Sequence, residues 1–230
     1  MDGAPVICID GPSGAGKGTL AVRLARQLGW HLLDSGALYR LVGKACLDAG
    51  VAWDEEAAVA VVARSLEAEF DVVGDEVVVK LGGVDVTADI RSELGSKGAS
   101  SVAVLPRVRA ALLERQREWA RPPGLVADGR DMGTQVFPDS PLKIFLTASV
   151  EARAERRYSQ LLAKGESVSL PRLLEGIRER DARDSTRSAS PLVAAKDAVL
   201  VDSTSLTIDE VLERVTALAA DRGILGRVSG

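Results

Sequence analysis

Gly11-Pro12-Ser13-Gly14-Ala15-Gly16-Lys17-Gly18-Thr19 is the stretch that decides how this chain is read. The apolar run Val6-Ile7-Cys8-Ile9 precedes it, and Leu20-Ala21-Val22-Arg23-Leu24-Ala25-Arg26-Gln27-Leu28 follows it. Strand, glycine-rich loop and helix, in that order, are the setting in which G-x-x-x-x-G-K spacing binds polyphosphate. The glycines let successive backbone N–H groups curl around an anion. The helix starting near Lys17 turns the positive end of its dipole to the same place. Lys17 then reaches the β- and γ-phosphates as a mobile point charge. A glycine turn with a surface lysine would require neither the strand before nor the helix after.

Outward from the loop, the chain alternates strand and helix. Residues 6–10 read as the first buried strand, and residues 17–28 as its crossover helix, stopped by Gly29. Residues 30–33 read as a second strand and residues 37–47 as a helix, with Asp54 capping another over 54–64. The valine-rich runs 69–73, 76–81 and 85–87 are broken by Gly74-Asp75 and Gly82-Gly83, which signals antiparallel hairpins. Helical pattern returns over 92–103 and 107–119. Residues 125–128, 142–146 and 198–201 supply three more strands, with helices over 150–164, 170–184 and 207–220. The pattern predicts an α/β fold: five parallel strands with helices on both faces, and a small antiparallel β insertion.

Composition narrows the classes. A chain of 230 residues can bury a normal core, built here from Val, Leu, Ile and Ala because aromatics are 3%. No apolar run is long enough to span a membrane, and no basic-then-apolar leader is visible, so a cytoplasmic protein is expected. Two cysteines, one in a buried strand, fit a reducing compartment without structural disulfides. The net charge of −4 argues against binding a nucleic acid polymer. Positive charge is nevertheless in surplus between Arg91 and Arg187, as a solvated surface or as an arginine field around phosphates.

Ligands on parallel sheets collect at the carboxyl ends of strands, and three further segments lie there or on the helix that follows. Asp34-Ser35-Gly36-Ala37-Leu38-Tyr39-Arg40 combines a helix start, two hydroxyls and an arginine, which suits a second anion or an ordinary capped helix. In Asp128-Gly129-Arg130-Asp131-Met132-Gly133, Asp128 can orient magnesium-bound water, Arg130 can bridge two phosphates and Asp131 can accept hydrogen bonds. The same residues could form a salt-bridge cluster. Arg180, Asp184 and Arg187 share one helix face, as a wall for sugar and phosphate or as a solvated charged run.

Gly18 stands where the common loop motif has a magnesium-ligating hydroxyl, and this G-K-G-T variant resembles the nucleoside monophosphate kinases. The segments IDGPSGAGKGT, LLDSGALYR, PRVRAALL, ADGRDMGT, VFPD, KIFL, RERDARD and VDST extend the likeness over nearly the whole chain. Together with the β insertion they resemble the bacterial cytidylate kinases, which carry the P-loop NTPase fold. The resemblance implies a single kinase domain over 1–230, with its core at 1–65, 104–150 and 170–230. It implies a monophosphate-binding insertion at about 66–103 and a short lid at about 151–169. The implied reaction moves the ATP γ-phosphoryl group to CMP or dCMP.

Residue by residue, the resemblance implies that Gly11, Pro12, Ser13, Gly14, Ala15, Gly16, Lys17, Gly18 and Thr19 bind ATP. Lys17, Arg130, Arg153 and Arg157 would be catalytic, with Arg156 in the same lid region. Ser35, Tyr39, Arg40, Ser100, Arg109, Asp128, Arg130, Asp131, Arg180, Asp184 and Arg187 would bind the acceptor. Asp131 would accept from cytosine N4, with Arg109 and Ser100 on the remaining edge. Mg²⁺ would accompany ATP without direct protein ligands, Asp128 acting through water. A monomer is expected, since no segment reads as a coiled coil. His31, the only histidine, is expected outside the chemistry. Rival readings are a different acceptor, such as UMP or shikimate, and a nucleotide switch. Gly18 and the lack of an N-K-x-D segment argue against the switch.

Overall fold

The computed structural model of the chain describes residues 4–74, 76–163, 165–186 and 190–225. Chain order begins β1 (Val6–Asp10), α1 (Lys17–Leu28), β2 (His31–Asp34), α2 (Ser35–Asp48) and α3 (Glu56–Arg64). Next come β3 (Ala68–Val73), β4 (Glu76–Leu81), β5 (Val84–Asp85), α4 (Thr87–Arg91), α5 (Glu93–Val102) and α6 (Pro106–Arg117). β6 (Leu125–Gly129) leads to a π-helical turn (Met132–Val136), then β7 (Leu142–Thr147), α7 (Val150–Ala163) and α8 (Leu170–Thr186). β8 (Val199–Asp202) and α9 (Ile208–Asp221) close the series.

The expected α/β architecture is present. Five strands make one sheet in the order β2-β6-β1-β7-β8, and the pairs β2–β6, β1–β7 and β7–β8 are parallel. β3, β4 and β5 form a separate antiparallel sheet. All five residues of β1 are buried, as a strand covered on both faces requires.

The chain divides into two compact units. One holds Ala25–Asp128 with the short run before β1; the other holds Val6–Leu24 with the chain from Gly129 onward. In the first, Asp34 caps α2 by accepting the Ala37 N–H at 2.9 Å. Ser92 caps α5 in the same way, through the Gly95 N–H. Two local expectations are corrected here. Asp54 does not cap α3, which starts at Glu56 after Glu55, with no side-chain cap bond. The third short strand ends at Asp85, and Thr87 instead begins α4. The Asp85 carboxylate accepts the Thr87 N–H, and the Thr87 hydroxyl accepts the Val79 N–H at 2.8 Å, so side chains take over the backbone's pairing.

In the second unit, α9 is fixed at its start by a capping box between Thr207 and Glu210. Lys143 on β7 is buried, and its ammonium is held by Asp197 at 2.9 Å and the Pro138 carbonyl at 2.5 Å. Beside it, burial pushes the Cys8 thiol up to about 12. Neither cysteine is bonded to the other. No helix among the described residues is long and apolar enough to cross a membrane.

Candidate active site

The phosphate loop turns between β1 and α1 with three glycines at positive φ: Gly11 (149°), Gly14 (81°) and Gly16 (96°). Gly11 must also be small, because an added Cβ would run into the Leu146 carbonyl. The loop's carbonyls are held by cations. Lys17 Nζ donates to the Pro12 carbonyl at 3.0 Å. Arg153, 3% exposed on α7, donates to the Ser13 carbonyl at 3.0 Å through Nη1. Arg156, one turn on, donates to the Ala15 carbonyl at 3.5 Å and to the Ser203 hydroxyl at 3.1 Å. Ser203 in turn donates to the same Ala15 carbonyl at 3.1 Å.

This bracing has a consequence for ligands. Across a planar trans peptide, a carbonyl and the next N–H point in opposite directions. Drawing the Ser13 and Ala15 carbonyls towards α7 therefore turns the Gly14 and Gly16 N–H groups the other way, free for an anion. Gly18 and Thr19 lie exposed on the first turn of α1.

Two arginines of this unit are locked to α8. Arg153 forms a bidentate pair with Asp181 at 2.9 and 2.5 Å. Arg130, just past β6, donates to Asp184 at 2.6 Å, and Asp184 is 1% exposed. The helix face expected to present Asp184 to sugar thus presents it to Arg130. Arg180 is half-buried on the same helix, and Arg157 on α7 is exposed. Arg187 lies outside the described residues. Asp131 is buried next to Asp10, the last residue of β1. Burial raises Asp10 to about 6, although the N–H groups of Gly133 and Met132 pull it down.

The other unit carries the remaining expected residues. Asp34 and Asp128 are partners in the β2–β6 register, at the carboxyl ends of their strands. Ser35 and Tyr39 are buried on α2, and Arg40 is half-buried. The Arg109 guanidinium lies 5.8 Å from the centre of the Tyr39 ring and donates to the Ala103 carbonyl at 3.3 Å. Ser100 is exposed on α5, where its hydroxyl donates to the Ser96 carbonyl at 3.0 Å. His31 Nε2 lies 3.0 Å from the Pro122 carbonyl oxygen.

Sequence reasoning missed Asp10, Asp181 and Ser203. Each makes its bond to a residue more than 25 positions away, so no local spacing could reveal it. The one available signal was position: Asp10 and Ser203 lie at strand ends, where ligand-binding groups collect on parallel sheets.

Comparison with known proteins agrees over the same span. The family model for cytidylate kinase matches residues 7–221. A cytidylate kinase of Stutzerimonas stutzeri is 57% identical over 224 residues, covering 96% of this chain and 98% of that protein. One of Aeromonas salmonicida is 58% identical over 216 residues, covering 94% of each. Among solved structures, an uncharacterized protein from Eubacterium ventriosum is similar in fold, with a TM-score of 0.52 and 12% identity. It covers 94% of this chain and 98% of that one. With the phosphate loop, its arginine bracing and this full-length likeness in place, the chain belongs to the cytidylate kinase family.

Proposed function

We propose that the chain transfers the γ-phosphoryl group of ATP to CMP or dCMP, giving CDP or dCDP and ADP. The observation that carries this reading is the full-length likeness to proteins named cytidylate kinase, at 57% identity over 96% of the chain. The phosphate loop with its preset N–H groups supports the donor half. The acceptor is a phosphate oxygen that is already anionic near neutral pH, so the reaction needs position and charge neutralisation more than a base.

Residues 11–19 bind ATP, and Lys17 neutralises charge on the transferring group. Arg153 keeps the loop in shape, and exposed Arg157 is the lid cation that meets phosphate. Ser35, Tyr39, Arg40, Arg180 and Arg187 bind the acceptor's phosphate and ribose, with Asp184 holding Arg130 where it bridges the two phosphates. Ser100, Arg109 and Asp131 read cytosine. Uracil would set its O4 against the Asp131 carboxylate, and an unmet acceptor costs about 1–3 kcal/mol.

Among the described residues no group of three or more His, Cys, Asp or Glu is placed to hold a metal ion. Mg²⁺ would enter as part of the ATP substrate and neutralise phosphate charge there, with Asp128 as the residue to accept from its water. Residues 66–103 serve as the acceptor-binding insertion and 151–169 as the lid. The enzyme works as a monomer in the cytoplasm, where two unpaired cysteines persist.

The test is ADP release from ATP with CMP, dCMP, UMP and AMP in turn. CMP and dCMP should exceed the others at least about tenfold in kcat/KM, the equivalent of 1.4 kcal/mol. Equal kcat/KM for UMP would remove the role given to Asp131.

A further inference from the structure

Asp10 joins the phosphate loop to the segment that carries Arg130 and Asp131. It ends β1, one residue before Gly11, and is 5% exposed. Its Oδ1 accepts the Met132 N–H and its Oδ2 the Gly133 N–H, both at 2.8 Å. These donors open the π turn, where first-turn N–H groups have no partner within the turn. Gly133 makes the approach possible. A Cβ there would lie 3.0 Å from the Lys143 side chain and 3.4 Å from Asp10 Oδ2. The same turn is anchored to Asp131, whose carbonyl accepts the Gln135 and Val136 N–H groups at 2.9 and 3.2 Å.

We propose that the ionised Asp10 carboxylate is the positioning residue that sets Asp131 and its neighbour Arg130 for the acceptor nucleotide, so that turnover depends on its charge. The proposal rests on the kinase reading above. An ionised carboxylate accepts at both oxygens. A protonated one carries no charge, and its hydroxyl oxygen accepts one of the two N–H groups more weakly. That buried N–H is then held less tightly, the turn loosens, and Asp131 loosens with it.

The surrounding charges place the ionisation in a working range. Burial dominates and raises Asp10 to about 6, Asp131 adds to the rise, and Lys17 on α1 opposes it. On β1 itself the Cys8 thiol stays protonated. On β7 the Lys143 ammonium is engaged by Asp197 and the Pro138 carbonyl.

The experiment compares kcat at saturating ATP and CMP from pH 5 to 8 in the natural protein and in Asp10→Asn. CMP's own phosphate also titrates near 6, so the comparison between proteins with one substrate isolates Asp10. The natural protein should lose activity on two ionisations as pH falls. Asp10→Asn should keep only the substrate's and be slower by about ten- to a hundredfold at pH 7.5, as for a misplaced catalytic group. Its KM for ATP should stay within about threefold, because the loop's own N–H groups are intact. An Asp10→Asn enzyme with the natural acid limb, or with kcat within twofold of the natural value, overturns the proposal.

Should circular dichroism show Asp10→Asn unfolded, the natural protein decides. The ¹³C shift of the Asp10 carboxyl, assigned through its backbone, should titrate together with the kcat limb, and a midpoint below that of an ordinary exposed aspartate overturns the proposal. If the natural protein turns over none of the four monophosphates, the kinase reading fails instead.

Discussion

The phosphate loop and the residues proposed to read the acceptor are held in very different ways. Around the loop, the carbonyls of Pro12, Ser13 and Ala15 are each gripped by a cation, and Arg153 and Arg156 are themselves tied to Asp181 and Ser203. In the other unit, Ser100 is exposed and its hydroxyl donates within its own helix, to the Ser96 carbonyl, and Arg109 is braced by the Ala103 carbonyl and the face of Tyr39. The proposed ligands account for the difference. A triphosphate always presents the same charge, so its cradle can be set in advance and the transition state gains from that rigidity. A base is distinguished by donors and acceptors that must turn to meet it. The Ser100 hydroxyl can exchange its helix bond for a ligand bond at a cost of about 1 kcal/mol.

The largest effect expected is on the preset side. Lys17→Ala should leave the fold intact and lower kcat by about 10²–10³, the scale for losing one preorganised charge-stabilising donor. A variant that keeps half its kcat would show that the cradle works without its lysine.

Next comes the cost of burying Asp10. Its folded pKa of about 6 lies above the usual 3.8, so the folded chain binds more protons than the unfolded one between those values. Stability from this group is therefore greatest below about pH 4 and is lost as pH rises to about 6. The total is about 3 kcal/mol, from 1.36 kcal/mol per unit. Urea midpoints of the natural protein at pH 4.5 and 6.5, set against those of Asp10→Asn, measure it. An identical pH dependence in both proteins would contradict the burial argument.

Asp184 sharpens the boundary between the regions. It is buried against Arg130, so Asp184→Ala should lower kcat/KM for CMP and dCMP alike, by about ten- to a hundredfold, through a displaced arginine. A loss confined to CMP would mean that the carboxylate meets the ribose 2′-hydroxyl. The smallest effect belongs to the lightly held side. Ser100→Ala should change the CMP-to-UMP preference by about fivefold, one neutral hydrogen bond, with the melting temperature unmoved.

Much of this was legible in the sequence, and the exceptions share a cause. The five parallel strands and α1 follow from continuous apolar runs and from glycine and lysine spacing, which are local signals. The phosphate loop was legible for the same reason. What local pattern could not show were side chains that overrule the backbone. Thr87 and Asp85 turn a valine-rich run into a helix start, and Glu55 leaves α3 without the cap that Asp54 offered. Asp10, Asp181 and Ser203 read as an ordinary strand end, one acid in a charged helix and a loop serine. Their meaning lies in partners brought near by the fold.

On this reading α7 fixes the donor loop before any acceptor binds, through Arg153 and Arg156. Calorimetric titration of a non-hydrolysable ATP analogue with Mg²⁺, in the absence of CMP, tests it on the natural protein, Arg153→Ala and Ser100→Ala. Arg153→Ala should bind the analogue at least about tenfold more weakly, a loss of 1.4 kcal/mol, while Ser100→Ala binds it as the natural protein does. Natural affinity in Arg153→Ala, with its fold intact by circular dichroism, would contradict the claim.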